Sequence, residues 1–222
     1  GTIIHRDRPA HFHDDVVVEV GPDTRVVRDG DRVTDLSIGA ISIGQRLTVY
    51  GSAPATVTDA AAPQVLFDAT QGAVRLHVTH LSGIVNSVVP GEMEMTLQAI
   101  DRRRAEVFDF TGTGMTPDSD ADPDNYSVST GTLTLAALAE GRPVVAYGFP
   151  TAFGTAPPDF AGRTVIDFTD VRSSLGVSWG AAGTLQPFLS LGADGIVLNN
   201  QNEDIGERHY IKQGQVLIDL TT

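Results

Sequence analysis

The chain has 222 residues, 28 acidic side chains against 15 basic ones, and a formal net charge of −13. With Lys212 its only lysine, it lacks the clustered cations on which nucleic-acid affinity rests, and with no cysteine it has no thiol nucleophile, disulfide or Cys-ligated metal. No apolar run approaches the ~20 residues that a membrane-crossing helix needs, while an apolar content of 41% is enough to fill a packed core.

The N-terminal stretch runs His5-Arg-Asp-Arg-Pro-Ala-His11-Phe-His13-Asp14-Asp15. His11 and His13 are two apart, so a strand would project both from one face. Together with His5 and Asp14 they form a workable set for Zn, Ni or Cu; the competing reading is a solvated, polar edge strand. Val16 to Val20 is β-branched and stops at the turn cluster Gly21-Pro22-Asp23.

Strand signals continue down the chain. Arg75 to Thr79 alternates, which sets His77 opposite Leu76 and gives His80 a packed or hydrogen-bonded role. Glu94 to Ile100 alternates polar and apolar, and Arg102-Arg103-Arg104 reads as a solvated turn after it. Leu133 to Ala139 is the best helical candidate, with Leu135 and Leu138 three apart and Gly141 as the stop. It predicts one or two turns plugging an end of a barrel. Thr164 to Phe168 and Ile196 to Leu198 are further strands, and alternation around Val177 sets Trp179 in a core. Many short strands punctuated by Gly, Pro, Asn and Asp predict an all-β protein of small antiparallel barrels.

Residues 118–124 alternate Asp118, Asp120, Asp122 and Asp124, like the first half of a calcium loop. Pro123 stands where an EF-hand needs glycine and Ser129 where it needs the bidentate Glu, so the segment is no EF-hand. It reads as an acidic insertion, over residues 112–126, that binds a divalent cation or is simply a mobile loop. No Gly-x-Ser-x-Gly elbow exists, and Gly112-Thr-Gly114 has no Walker lysine, so catalytic and cofactor-binding residues are not assigned.

An internal repeat organises the chain. Leu36 to Gly51 aligns without gaps on Leu133 to Gly148 at an offset of 97 residues, pairing Gly44 with Gly141 and Tyr50-Gly51 with Tyr147-Gly148. The first glycine of each copy predicts a positive-φ reversal, and the second a bend or bulge. A weaker copy at Ile211 to Leu220 fits two registers, one of which aligns Gly214 to Thr221 with Gly162 to Thr169. Three units follow: residues 2–82, residues 83–175 carrying the insertion, and a partial unit over residues 176–222, which either completes its neighbour or is completed by another chain.

The pattern Leu-x-x-Gly-x-x-Val-x-Val-x-Gly in Ile41 to Gly51 and Leu138 to Gly148, and less fully in Ile211 to Ile218, resembles a bacterial repeat family. It is the domain-of-unknown-function family numbered five-six-six-six, found in exported lipoproteins as tandem small OB-like barrels. The resemblance implies export, a barrel fold and no catalytic residue. The expected function is a non-catalytic binding or scaffold module of the cell envelope, periplasmic or held by an anchor cut from the chain. It would bind a protein or envelope ligand and pair with a second copy through strand edges. A periplasmic divalent-metal-binding protein and an envelope-polymer hydrolase are the alternatives.

Overall fold

The computed structural model describes residues 16–31, 36–52, 65–177, 188–193, 195–199 and 209–220. The predicted metal set His5, His11, His13 and Asp14 lies outside these residues, as does Trp179. The described chain is all-β, and its helical pieces are 3₁₀ turns of three residues.

The first sheet is built on β4 (Val65–Leu76). Strands β1 (Val16–Glu19) and β2 (Arg25–Arg28) run parallel to its two halves. β3 (Leu47–Ser52) pairs antiparallel on the opposite side. Between β1 and β2 the chain turns at Thr24, whose hydroxyl accepts from Gly21 N (2.8 Å) and donates to Ala69 O (2.8 Å). Alternation sorts the faces: Val26, Val74 and Leu76 are buried, with Leu47 and Val49 packed against them.

The chain crosses at His77-Val78 into a ring of five strands: β5 (Thr79–Val89), β6 (Glu92–Ile100), β8 (Tyr126–Ser129), β9 (Pro143–Pro150) and β10 (Phe160–Asp167). A two-residue strand, β7 (Arg103–Arg104), pairs with the end of β6. Antiparallel pairs join β5 to β6, β6 to β8, β10 to β9 and β9 to β5, and a parallel pair joins β8 to β10, so the hydrogen-bonded circuit closes. Closure removes free strand edges and encloses a core that includes Leu81, Met93, Met95, Tyr126, Val128 and Phe160.

Leu133 to Ala139 is not a helix. It folds as two separate turns, Leu133 N to Thr130 O (3.0 Å) and Leu138 N to Leu135 O (2.9 Å). The nine residues between positive-φ Gly131 and Gly141 are too few to repay helix nucleation, but Leu135 and Leu138 still pack on the ring's core. The C-terminal strands β11 (Ser173–Gly176), β14 (Tyr210–Gln213) and β15 (Val216–Asp219) form a small sheet with β14 central, and β12 (Phe188–Gly192) pairs with β13 (Gly195–Leu198) as a hairpin.

Phe149 joins ring and first sheet. It leaves β9 to bury its ring among Val26, Ala40, Val74 and Leu76. The guanidinium carbons of Arg28 and Arg163 lie 4.7 and 4.6 Å from its centroid, and Asp31 pairs with both arginines.

Local backbone demands match the repeat's glycines. Gly44 (φ +75°) and Gly141 (φ +78°) both reverse the chain. The ladder shifts register at Tyr50/Ser52 on β3 and opposite Gly148 on β10, between Gly162 and Thr164. A Cβ on Gly148 would stand 2.0 Å from Ala161 O. The β6–β7 hairpin turns through Asp101 (φ +47°) and Arg102 (φ +67°), a pair of left-handed residues where glycine is preferred at the second position. Arg102→Gly should therefore raise stability by about 1 kcal/mol in urea titration, the cost of a left-handed L-residue. Gly148→Ala should lower it by roughly 1–3 kcal/mol through forced overpacking.

Candidate functional site

The outer face of the first sheet is polar, and its side chains can be placed row by row from the ladder. Arg25 and Tyr50 flank Ala73; Val27 and Thr48 flank Arg75. His77 follows next to Arg46, whose carbonyl accepts from His77 N (2.8 Å), and Asp29 follows β2 on the other side. Since Val26, Val74 and Leu76 point inward, these alternate residues point out.

A hydrogen-bonded chain locks this face. Arg75 Nε donates to Asp29 Oδ1 (2.6 Å), Asp29 Oδ2 meets His77 Nδ1 (2.8 Å), and His77 Nε2 meets Thr48 Oγ1 (2.8 Å). The carboxylate at Nδ1 fixes the proton there in the neutral ring, so Nε2 accepts from the Thr48 hydroxyl. The Arg75 hydrogen bond, followed by that of His77, holds the Asp29 carboxyl below its ordinary pKa. At the crossing, Gln45 Nε2 donates to His77 O (2.8 Å), and Arg46 N donates to Thr79 Oγ1 (3.0 Å). The other histidine, His80, pairs with Asp101 (Nδ1–Oδ1 2.6 Å), the hydrogen-bonded role expected of it.

Next to Tyr50 the sheet carries a wide bulge. Tyr50 pairs with Ala73 but Ser52 with Asp68, so residues 69–72 are looped out of the β3 ladder. Gly51, Ser52, Asp68, Gln71 and Gly72 line a shallow recess of about 250 Å³ there. Thr70 donates its backbone N–H (2.9 Å) and hydroxyl (2.7 Å) to Asp68 Oδ1, which lowers the Asp68 pKa. Gln71 Nε2 donates to Asp23 Oδ2 (3.1 Å). Tyr50 itself is 55% exposed.

The acidic insertion is ordered differently from a cation loop. Asp118 sits in an exposed 3₁₀ turn, Pro117–Ser119. Asp120 Oδ1 accepts from Gly114 N (2.8 Å), and its carboxyl is lowered by the backbone N–H groups of Gly112 and Gly114. Asp122 Oδ1 accepts from Asp124 N (2.9 Å), and Asp124 is exposed. Among the described residues no three His, Asp or Glu side chains gather into a metal-binding group. Within the loop Ala121 N donates to Thr113 Oγ1 (2.9 Å), and Asn86 Nδ2 on β5 ties the loop to the ring by donating to Asp124 O (2.7 Å).

Asp159 had no sequence signal beyond its place after Pro157-Pro158, which reads as a turn. It is buried, and accepts at Oδ2 from both the Ser127 N–H and hydroxyl (2.8 Å each). Burial raises its pKa, and the Ser127 bonds offset only part of that. The neighbouring Tyr126 hydroxyl is raised by burial and then by the Asp159 charge.

The two aspartates should give opposite pH slopes. Asp159 is raised in the folded state, so its stabilisation is complete below about pH 4 and lost as pH climbs through the raised value. Asp29 is depressed, so its contribution is present above about pH 4 and lost as pH falls through the lowered value. Urea titrations from pH 3 to 7 should show wild type losing stability relative to Asp159→Asn as pH rises. Relative to Asp29→Asn it should gain.

No protein-family model matches the chain, and neither a curated protein nor a solved structure matches it. Function is therefore read from the chemistry of its own surfaces.

Proposed function

We propose that the protein is a non-catalytic binding or scaffold module of the bacterial cell envelope, built from tandem OB-like barrels. Numbering the ring strands in chain order gives the circuit 1-2-3-5-4-1 with strands 3 and 5 parallel, which supports the OB-like reading. The first sheet has the same 3-5-4 pattern, since β2 is parallel to β4 and β4 antiparallel to β3. The C-terminal sheet follows the 1-4-5 pattern, β11–β14–β15 against β5–β9–β10. In this scheme β15 corresponds to β10, which favours the register that aligns Gly214 to Thr221 with Gly162 to Thr169. The family resemblance of Ile41 to Gly51 and Leu138 to Gly148 supports export.

The observation that carries the binding role is the outer face of the first sheet. Its polar side chains, Thr48 and Arg75 on strands and Asp29 and His77 just past strand ends, are held by one another, which is how a preorganised recognition surface is made. In the native cells the gene product should fractionate with the envelope. The purified chain should co-sediment with isolated envelope fractions, and Tyr50→Ala with Arg75→Gln should abolish this. Cytoplasmic fractionation without affinity for any envelope fraction would overturn the reading.

One observation favours the hydrolase alternative. Thr48, His77 and Asp29 stand in nucleophile–base–orienter order. That alternative predicts p-nitrophenyl acetate turnover that is lost in Thr48→Ala and in His77→Ala. Equal residual rates in wild type and both variants would dispose of it.

A further inference from the structure

We propose that the outer face of the first sheet binds an acidic saccharide, with Tyr50 as the stacking platform and Arg75 as the partner of the sugar's carboxylate. This names the ligand class for the binding-module reading and rests on it. A sugar presents a C–H face, hydroxyl groups in pairs and, in a uronic acid, a carboxylate, and the face offers a match for each.

Tyr50 supplies an open, rigid, amphipathic ring. The contrast with the ring's Tyr147, at the matching position, is informative. The Tyr147 hydroxyl donates to Gln215 Oε1 (3.3 Å) and its ring lies 5.8 Å from that of His80, whereas the Tyr50 hydroxyl makes no hydrogen bond among the described residues. Arg75 projects beside Tyr50 with its side chain 53% exposed. Among the described residues only its Nε–H is engaged, by Asp29, so the outer edge of the guanidinium keeps the paired N–H groups that grip a carboxylate bidentately. Asp29 is itself fixed by His77, and His77 by Thr48, so the fork is oriented before any ligand arrives.

The bulge supplies the polar floor. Among the described residues Thr70 occupies Asp68 Oδ1 and leaves Oδ2, while Gln71 keeps its amide oxygen and Ser52 its hydroxyl. Planar carboxylate and amide groups side by side are suited to paired sugar hydroxyls. The recess, about 250 Å³, is smaller than a drug-sized pocket and suits a single sugar unit of a longer chain. Asp68 sits at the end of the face away from Arg46 and Arg75, so the carboxylate is directed to the Arg75 end and the hydroxyls to the recess.

The test is calorimetric titration of the whole chain with tetragalacturonate, neutral galactotetraose and acetate, with folding checked by the amide NMR spectrum. Tetragalacturonate should bind and weaken as salt rises. Tyr50→Ala and Arg75→Gln should each cost about tenfold or more, and Tyr50→Phe should keep the affinity. Galactotetraose should bind at least about tenfold more weakly. Absence of tetragalacturonate binding, equal affinity for the neutral sugar, acetate competing as well as the oligomer, or indifference to Tyr50→Ala and Arg75→Gln in folded protein would each overturn the proposal. Envelope co-sedimentation that persists without tetragalacturonate binding would overturn this ligand alone. Loss of both would also remove the binding-module reading.

Discussion

A Cβ on Gly51 would stand 2.1 Å from the Asp68 carbonyl, and one on Gly72 would stand 2.0 Å from the Tyr50 carbonyl. Two backbones therefore touch where only glycine lets them, and the recess beside Tyr50 follows from that contact. It forces residues 69–72 out of the β3 ladder, and so brings Asp68 and Gln71 beside Tyr50, while two rows further on Arg75 and Thr48 stay in register. Without the bulge, Asp68 would lie several strand residues away from the tyrosine. The same kind of contact recurs at Gly148 against Ala161, where the neighbouring Tyr147 is covered by Gln215 and His80. One backbone device thus serves packing in the ring and leaves an open platform on the first sheet.

Rigidity is the second element. The first sheet is anchored to the closed ring through Phe149, which is buried in the first sheet's core with the Arg28 and Arg163 guanidinium groups near its ring, and through the Gln45 and Arg46 bonds around the His77–Thr79 crossing. The side chains that form the face extend from strands or from the residues just past their ends, beside the packed Val26, Val74 and Leu76, so much of the ordering cost of a binding surface is met during folding. A net charge of −13 does not preclude an anionic ligand, because the nearest carboxylate to Arg75, Asp29, is already engaged by both Arg75 and His77. The acids of residues 118–124 lie on the ring's insertion, in a different sheet's connections.

Much of this was legible locally. Alternation over Glu94 to Ile100 gives the right strand, with Met95 and Leu97 buried, and Gly44 and Gly141 are the positive-φ reversals that the repeat predicts. Arg75 to Thr79 alternates like one strand, but the strand ends at Leu76 and the chain crosses at His77-Val78, with Val78 exposed. Tyr50-Gly51 was read as a bend or bulge from one glycine. What stayed hidden depends on partners far apart in sequence. Asp29 and His77 are 48 residues apart, and no local pattern encodes their contact. Ring closure likewise rests on β5 finding both β6 and β9. The alternating aspartates invited a cation, but short carboxylates equally serve their own backbone, as Asp122 does for Asp124 N and Asp120 for Gly114 N. Leu133 to Ala139 carried a helical spacing in a segment too short to nucleate.

A ligand seated on the outer face of the first sheet around Tyr50 is seen by chemical-shift mapping of isotopically labelled protein during titration with tetragalacturonate. The shifts should saturate and be confined to residues 48–52 and 68–77, with saturation transfer from the Tyr50 ring to the sugar's C–H protons. Shifts centred elsewhere, on the ring or the acidic insertion, or an unchanged spectrum at saturating sugar, would contradict that placement.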